Sequence, residues 1–374
     1  MNYLKSLSFF FGGLVSLSYA QDHSHVSFQK NISYPNIENY QTLSSDLHIH
    51  TVFSDGNVWP TIRVQEALLE GLDVIAMTEH LEYQPHLSDL PHPDRNRSYE
   101  IAVKEAASHQ LIVIPGSEIT RSAPVGHNNA IFISDANPLL DKDDPNTAFF
   151  EAKKQDAFVF WNHPAWYRQS SKGIPILSDF QQKMIKEGMI HGIEVINEGA
   201  YSEEAFSLAL AHNLTVMGNS DVHDLIGWDY LEKHQTHRPI TLIFSKDKEL
   251  SAIKEALFKG RTVAVFNNFW VGKEAYVVPL LKNSISIENP HYLKDSQILE
   301  LELVNHSSTS LLLENQMPYT FYFIPRVFTL PAKGRITLQI KTLEELESLE
   351  LKLKALKAYI GPNEQAVASW MVNL

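Results

Sequence analysis

The sequence predicts an α/β fold in which a barrel of alternating strands and helices precedes a small antiparallel β module of sandwich type. Two observations predict it. Between residue 44 and about residue 267, short β-rich runs alternate with amphipathic helical patterns, and after about residue 275 the hydrophobic period changes to two. The 374 residues are enough for one domain of about 250 residues and a second of about 100.

The N-terminus is typical of a secretory signal. A single lysine precedes an apolar run at residues 7–17, and the small residues Ser18 and Ala20 precede the expected cleavage point. A membrane anchor is the alternative, but the run is shorter than the roughly 20 residues that span a bilayer. We therefore expect a signal peptide at 1–20, a barrel at 44–270 and a β module at 275–374. The mature protein is then secreted or periplasmic, bacterial and without a membrane span.

Nine β-rich runs are the candidate strands of the first domain. They are residues 46–50, 73–78, 111–116, 129–133, 157–161, 192–197, 214–219, 240–244 and 262–266. Helical patterns such as "TIRVQEALLEG", "SEEAFSLALAHN" and "DKELSAIKEALFKG" lie between them and end on Gly71, Asn213 and Gly260. Continuous apolar strands alternating with helices indicate a parallel sheet covered by helices. Polar residues follow many of the strands, which favours a barrel over an open sheet because barrel strand ends converge on one mouth.

The tail alternates polar and apolar residues. In "SLELKLKALKAYIGP", Leu349, Leu351 and Leu353 share one face of the predicted strand. No cluster of histidines and carboxylates occurs in this part of the sequence. We therefore expect the tail to pack or bind and the first domain to carry the chemistry.

Charge and cysteine content restrict the possible functions. The formal net charge of −13 argues against a nucleic-acid groove or an anionic membrane surface as the main partner. A small anionic substrate remains possible because clustered cations can invert the local potential. The chain has no cysteine, so any metal must be held by His, Asp and Glu, a set that suits zinc, manganese or iron.

Histidines and carboxylates recur at the same end of successive strands. "HIH" places two imidazoles on one side of a strand because side-chain direction repeats every two residues. Further ligand types follow in "SDG", "TEH", "GSEIT", "VGHNN", "WNHP" and "SDVH". The nine candidates are His48, His50, Asp55, His80, Glu118, His127, His163, Asp221 and His223. Each alone is weak evidence, but together they predict a centre of several metal ions.

This run of motifs resembles the PHP family, named for polymerase and histidinol phosphatase, over roughly residues 44–266. The resemblance implies a distorted (β/α)7 barrel and a metal-dependent phosphoesterase. The phrases "GSEITRSAPVGHNNAIFI" and "MGNSDVH", followed by a β-rich tail, resemble an exported bacterial phosphodiesterase branch. This chain has Glu79 where many members have an aspartate.

The resemblance also implies how two or three divalent ions (Mn²⁺, Zn²⁺ or Fe²⁺) would be held. The first ion would take His48, His50, Glu118 and Asp221. The second would take Asp55, His80 and His223. The third would take His127 and His163, with Glu118 bridging it to the first.

Clustered dications would activate a bound water as hydroxide and neutralise charge on phosphoryl oxygens. Arg121 and Arg168 follow ligands closely and are candidates for gripping phosphate. Glu79 and His237 are candidates for proton delivery to the leaving group. The candidates for lining an apolar pocket are Trp161, Trp166 and Tyr167. The candidates for hydrogen-bonding the ligands are Asn162 and Asn219.

The leading hypothesis is thus an exported metal-dependent phosphodiesterase acting on a small phosphate ester. A phosphomonoesterase of histidinol-phosphatase type is the first alternative, although export argues against a biosynthetic phosphatase. A non-catalytic protein that binds metal or phosphate is the second, and it would be expected to lack ligands that are present here.

Overall fold

The computed structural model describes residues 32–141, 143–232 and 236–374. The predicted signal peptide at 1–20 lies outside the described residues. The strands are β1 (Gln41–Asp46), β2 (Val74–Met77), β3 (Ile112–Thr120), β4 (His127–Ile131), β5 (Phe158–Trp161), β6 (Gly192–Asn197), β7 (Ala200–Tyr201), β8 (Thr215–Asn219), β9 (Ile240–Ser245), β10 (Thr262–Phe266), β11 (Phe269–Gly272), β12 (Ile285–Tyr292), β13 (Ile298–Asn305), β14 (Leu311–Asn315), β15 (Thr320–Phe321), β16 (Val327–Leu330), β17 (Arg335–Lys341), β18 (Ser348–Gly361) and β19 (Glu364–Asn373).

The helices are α1 (Pro60–Glu70), α2 (Arg97–Ala106), α3 (Pro145–Lys154), α4 (Asp179–Lys186), α5 (Glu203–Ala211), α6 (Leu250–Phe258) and α7 (Glu274–Ser284). A 3₁₀ turn covers Asn137–Leu139 and a π-helical turn covers Gly227–Glu232. The predicted end of α1 is confirmed: Gly71 has a left-handed φ of 83°, and its N–H bonds the carbonyls of Ala67 and Leu68. Among these described residues, none of the helices has the length and apolar character needed to cross a membrane.

Seven strands form a distorted barrel in the order β1, β2, β3, β4, β5, β6 and β8. The ring closes where Ile49, just beyond β1, bridges Val222 in parallel. The Asp221 N–H donates to the His48 carbonyl at 2.9 Å, which extends this closure. The predicted strand at 46–50 therefore ends earlier, at Asp46, and its "HIH" continues as an extended segment that joins the two sides of the barrel.

Two deviations from a purely parallel sheet accompany this ring. β4 runs antiparallel to both β3 and β5, because the short 121–126 connection contains no crossover helix that could reverse the chain. β9, β10 and β11 form an antiparallel extension that starts from β1. The predicted strands at 240–244 and 262–266 thus form, but they lie beside the ring.

The C-terminal part is a β sandwich. One sheet has the order β12, β13, β17 and β15, and the other contains β14, β16, β18 and β19. Leu349, Leu351 and Leu353 are buried as their alternation predicts, in one core with Leu301 and Leu338 of the facing sheet. α7 was not expected, because the chain after about residue 275 was predicted to be β-rich, but the helix forms and buries Val277, Leu280 and Leu281.

The two parts share backbone pairing. β11 pairs in parallel with β18, so one sheet runs from the barrel extension into the sandwich. The domain boundary between 270 and 275 stays a prediction. The core that includes Leu43, Val74, Ile114, Phe160 and Met217 consists of aliphatic and aromatic residues, and the polar groups of the site lie at the strand ends.

Candidate metal centre

The "HIH" segment and the loop after β8 bring three ligand atoms together. The Nε2 atoms of His48 and His50 lie 3.1 Å apart, and each lies 3.1 Å from Oδ1 of Asp221. Ligands bound to one ion at about 2.1 Å have roughly this mutual spacing. Both imidazoles are fully buried, so the three atoms form the face of a ready-made coordination site.

A second group forms above the first. Oδ1 of Asp55 lies 3.2 Å from Nε2 of His80 and 3.1 Å from Nε2 of His223. Within the described chain this buried oxygen has no hydrogen-bond partner, so neither imidazole N–H is aligned on it. Buried oxygens without a partner are costly, and a cation between the three atoms removes that cost. The arrangement fits a divalent ion.

Glu118 occupies the centre of the cluster and is fully buried. Its carboxylate contacts Nδ1 of His80 directly. Its oxygens also lie near four further imidazole nitrogens: His127 Nδ1 at 2.9 Å, His163 Nε2 at 3.6 Å, His48 Nε2 at 3.7 Å and His50 Nε2 at 3.8 Å. This position suits a carboxylate that bridges ions.

The structure therefore brings all nine predicted ligands into one cluster. Sets of three or four donor atoms that could hold a metal combine these residues and only these within the described chain. The donors are nitrogen and carboxylate oxygen, which fits zinc, manganese or iron. The assignment of individual residues to three ions stays a prediction.

The electrostatics of the cluster favour the binding of positive charge. Burial opposes protonation of His48, but the charges of Asp221 and Glu194 outweigh it and raise its pKa to about 10. Burial and the neighbouring His223 and His80 lower the pKa of His50 to about 3. The cluster thus draws in positive charge, as protons or as metal ions that compete with them.

Glu194 was missed in the sequence. It lies in β6 and is almost fully buried, and its four hydrogen bonds saturate the carboxylate: Nδ1 of His48 at 2.9 Å, Nδ2 of Asn219 at 2.9 Å, the N–H of His163 at 2.8 Å and Nδ2 of Asn197 at 2.9 Å. A carboxylate on Nδ1 orients the imidazole so that Nε2 faces the cluster. A glutamate inside the apolar strand "GIEVIN" was the signal that could have revealed it.

The predicted asparagines do hydrogen-bond around the ligands. Asn162 donates from Nδ2 to Oε1 of Glu118 at 2.9 Å. Asn219 donates from Nδ2 to Glu194, which in turn bonds His48. Trp161, by contrast, is buried in the barrel wall.

Glu79 supports the loop that carries Asp55. Its carboxylate accepts from the N–H and hydroxyl of Thr51 at 3.0 and 2.6 Å and from the hydroxyl of Ser54 at 2.6 Å. The tight loop also needs Gly56, where a Cβ would lie 2.7 Å from the carbonyl carbon of His50. These bonds occupy the Glu79 carboxylate, and the role in proton delivery stays a prediction. Nδ1 of the other candidate, His237, lies 2.5 Å from the Arg238 carbonyl, and its role in proton delivery also stays a prediction.

The two candidate arginines differ in position. Arg121 donates from Nε to Glu82 at 2.6 Å and also contacts the Asp141 carbonyl. Arg168 lines the cavity above the cluster, with its guanidinium carbon 5.4 Å from the centre of the Trp166 ring. Arg168 is therefore the better placed of the two to bind a phosphate, and both roles stay predictions.

Three cavities adjoin the cluster. One of about 360 Å³ has a mainly polar wall that includes Asp221, His223 and Asp229. The other two share lining residues with each other. The first, the metal cavity, measures about 250 Å³ and is lined by ligands together with Trp166, Tyr167 and Arg168. The second, the side cavity, measures about 130 Å³ and has a mainly apolar wall. Glu198 lines both, and partial burial together with the charge of Asp221 raises its pKa. Its place directly after β6 was a signal that the sequence contained.

The chain is similar to several solved structures. The crystal structure of a two-domain protein from Bacteroides vulgatus, described as containing a predicted PHP-like metal-dependent phosphoesterase, matches with 37% identity and a TM-score of 0.84, over 91% of this chain and 98% of that one. The lesion-specific endonuclease PfuEndoQ from Pyrococcus furiosus matches at 18% identity and a TM-score of 0.40, over 62% and 59% of the two chains. PsfC from Pseudomonas syringae matches at 17% identity and a TM-score of 0.40, over 61% and 92%.

Residues 285–371 match the model of an Ig-like domain family, DUF5001. None of the curated proteins matches the chain. The likeness to the Bacteroides vulgatus structure and the Ig-like match confirm the predicted fold class, a distorted barrel followed by a sandwich-like module.

Proposed function

Because the chain belongs to the family of PHP-like metal-dependent phosphoesterases, we propose that it is a phosphodiesterase for small phosphate esters and that it acts outside the cytoplasm. The main support for this proposal is the nine-residue cluster around Glu118, which opens directly onto the metal cavity. The proposal for export rests on the N-terminal signal pattern at residues 1–20.

The donor set fits divalent ions, as the unpartnered Asp55 oxygen indicates. When bound, such ions supply a water acidified toward neutral pH and neutralise charge on the phosphoryl oxygens. His48, His50, Glu118 and Asp221 would hold one ion. Asp55, His80 and His223 would hold a second, and His127 and His163 with Glu118 a third.

Residues at the mouth would handle the rest of the substrate. Arg168, held against Trp166, would bind a phosphoryl oxygen through its guanidinium. Glu198 would donate a proton to the leaving oxygen, because its carboxyl lines the metal cavity and partial burial with the charge of Asp221 raises its pKa. The metal cavity and the side cavity give room for two ester groups on one phosphorus, and Arg168 is the single arginine among the described residues that line them. Both features favour a diester, which carries one negative charge, over a monoester, which carries two.

The substrate preference is tested with protein reconstituted with manganese, zinc or iron. We expect kcat/KM for bis(p-nitrophenyl) phosphate to exceed that for p-nitrophenyl phosphate by about ten-fold or more. The opposite preference would support the phosphomonoesterase alternative. Tight metal binding without turnover of either ester would support the binding-protein alternative.

The metal site is tested by Asp55→Asn. We expect this variant to lose about one ion per chain and about 100-fold in kcat/KM, because the second group loses its anionic ligand. Elemental analysis gives the ion count and circular dichroism the fold. Asp89→Asn, which changes an exposed aspartate, serves as the matched control and should retain both ions and activity. Unchanged metal content in Asp55→Asn would contradict the assignment.

A further inference from the structure

We propose that the side cavity binds an uncharged aryl or short alkyl group of the substrate, next to the phosphoryl group in the metal cavity. The proposal rests on the proposed function, since it names the kind of ester that the metal centre would receive. It assigns a binding role to a surface that contributes no metal ligand except His163.

The side cavity adjoins the metal cavity. His163, Trp166, Asn197 and Glu198 line both of them. The Trp166 ring lies edge-on to the rings of His163 and His127, at 5.2 and 5.6 Å between centroids. We infer that a group attached to a phosphoryl oxygen above the cluster extends beside Trp166 into the side cavity, because the two cavities share these residues.

The size and wall of the side cavity fit a small apolar group. Its volume is about 130 Å³, and a dry cavity of about 150 Å³ in another protein holds benzene. Pro164, Ala165, Val195 and Tyr201 supply apolar surface to the wall. Transfer of a phenyl group from water to such a wall is favourable through the hydrophobic effect.

The described wall of the side cavity offers no positive charge to a second anionic group of the substrate. Neither lysine nor arginine occurs among the described residues that line it. The Glu194 carboxylate is saturated by its four hydrogen bonds and cannot receive a further donor from a ligand. An uncharged ester group is therefore preferred over a nucleotide or polyphosphate extension.

The sandwich holds the back wall in place. The Tyr201 ring packs against Phe269 at 4.9 Å and Tyr359 at 6.3 Å between centroids, and Phe269 contacts Tyr359 at 4.8 Å. Tyr359 belongs to β18, so the C-terminal module fixes the wall of the cavity from behind. A wall fixed before binding lowers the entropic cost of enclosing a ligand.

The test uses the full chain loaded with metal and non-hydrolysable probes. Calorimetry compares methylphosphonate, phenylphosphonate and 4-carboxyphenylphosphonate, which share the phosphoryl anchor and differ in the attached group. We expect phenylphosphonate to bind about ten-fold more tightly than methylphosphonate, and the carboxylated probe to lose that advantage.

The matched variants are Ala200→Leu, which fills the side cavity from β7, and Ala107→Leu, an exposed site at the end of α2. Ala200→Leu should remove the preference for the phenyl group and leave methylphosphonate binding within about two-fold, whereas Ala107→Leu should change neither. Equal binding of the methyl and phenyl probes to the wild-type chain would overturn the proposal, as would a preference that survives in Ala200→Leu. Equal binding of the phenyl and carboxyphenyl probes would overturn the uncharged class.

These binding results are independent of turnover. If bis(p-nitrophenyl) phosphate is not hydrolysed while the phenyl preference is present and lost in Ala200→Leu, the diesterase proposal fails and the side cavity stands. If the diester is hydrolysed without any phenyl preference, the reverse holds.

Discussion

At the scale of single residues, Glu118 explains how so many imidazoles occupy one small volume. Burial would raise the pKa of its carboxyl, but the positive charges of His80 and His127 hold that pKa well below the usual range. The residue therefore stays an anion inside the barrel. A buried anion surrounded by imidazoles is stable only with protons or cations around it, so metal loading and stability are linked.

His191, at the start of β6 and away from the metal ligands, predicts a pH dependence of stability. Its Nδ1 accepts from the Val159 N–H at 3.1 Å, and its Nε2 donates to the Gly188 carbonyl at 3.1 Å. The bond from Val159 needs an unprotonated Nδ1 and therefore the neutral ring, and burial lowers the pKa of His191 to about 4. Between that value and about 6.5 the unfolded chain binds more protons, so stability falls as pH decreases through this window.

We expect His191 to contribute about 1 to 2 kcal/mol to the loss of unfolding free energy between pH 7 and pH 4.5, after allowance for partial solvent exposure. Urea unfolding of His191→Gln across this range should therefore show a shallower slope than the wild type. His109→Gln, which changes an exposed histidine, should keep the wild-type slope. Equal slopes in all three proteins would show that His191 is not the titrating group.

At the scale of elements, the strand ends carry the ligands in unusual backbone geometry. His163 after β5 and Asp221 after β8 have left-handed φ values of 28° and 53°. Residues other than glycine are strained in this region. The left-handed backbone turns both side chains toward the barrel mouth. A regular strand would not place ligands in that position.

Arg63 in α1 ties two ligand-bearing loops together. It is fully buried, and its guanidinium donates to four backbone carbonyls in addition to Glu66. The carbonyls belong to His50 at 2.9 Å, Val222 at 3.2 Å, His223 at 2.9 Å and Asp224 at 2.7 Å. One cation thus fixes the distance between the loop after β1 and the loop after β8.

Arg63→Met is expected to lower the unfolding free energy by about 2 to 4 kcal/mol, because buried carbonyls lose a charged donor. The variant should also bind fewer metal ions per chain. Denaturant unfolding of the metal-free protein and elemental analysis measure the two effects.

Arg97→Met is the matched control for this prediction. Arg97 forms an exposed pair with Glu100 at 2.8 Å on α2, and its loss should cost less than about 0.5 kcal/mol. Losses of similar size in the two variants would mean that Arg63 does not clamp the loops.

At the scale of the whole molecule, β11 joins the barrel to the sandwich by pairing with β18. Trp270 is 1% exposed, donates from Nε1 to Thr309 at 3.0 Å and lies opposite Ala358 of β18. Tyr34, near the start of the described chain, packs edge-on to its ring. The indole therefore joins three distant parts of the chain.

Trp270→Ala should destabilise the protein by about 3 to 5 kcal/mol through the cavity that it leaves. We expect one unfolding transition, coincident by circular dichroism and by metal release, since the sheet is continuous. Trp228→Ala, at a side chain that is 55% exposed, should have little effect. Separate transitions for metal release and for β-sheet loss would contradict a single cooperative unit.

Much of the candidate site could be predicted because its residues lie in local motifs at strand ends. "HIH" and "SDVH" are short, and the convergence of barrel strand ends places such motifs together without knowledge of the packing. Glu194 was missed because its role depends on hydrogen-bond partners elsewhere in the chain, such as His48 and Asn219. Arg121 was placed near the mouth by its distance from Glu118, but Glu82, 39 residues away, pairs with its side chain.

The sequence by itself determined the class of fold, the ligand types and the end of the barrel at which they lie, since each follows from hydrophobic period and local order. Only the tertiary structure decided the reversed direction of β4, the hydrogen bonds that orient the imidazoles, and the side cavity with its wall supported by Tyr359. The physical reason is that period and local order are properties of neighbouring residues. Which residues become packing or hydrogen-bond partners depends on which distant surfaces pack together. It also depends on which buried polar groups then need a donor or acceptor.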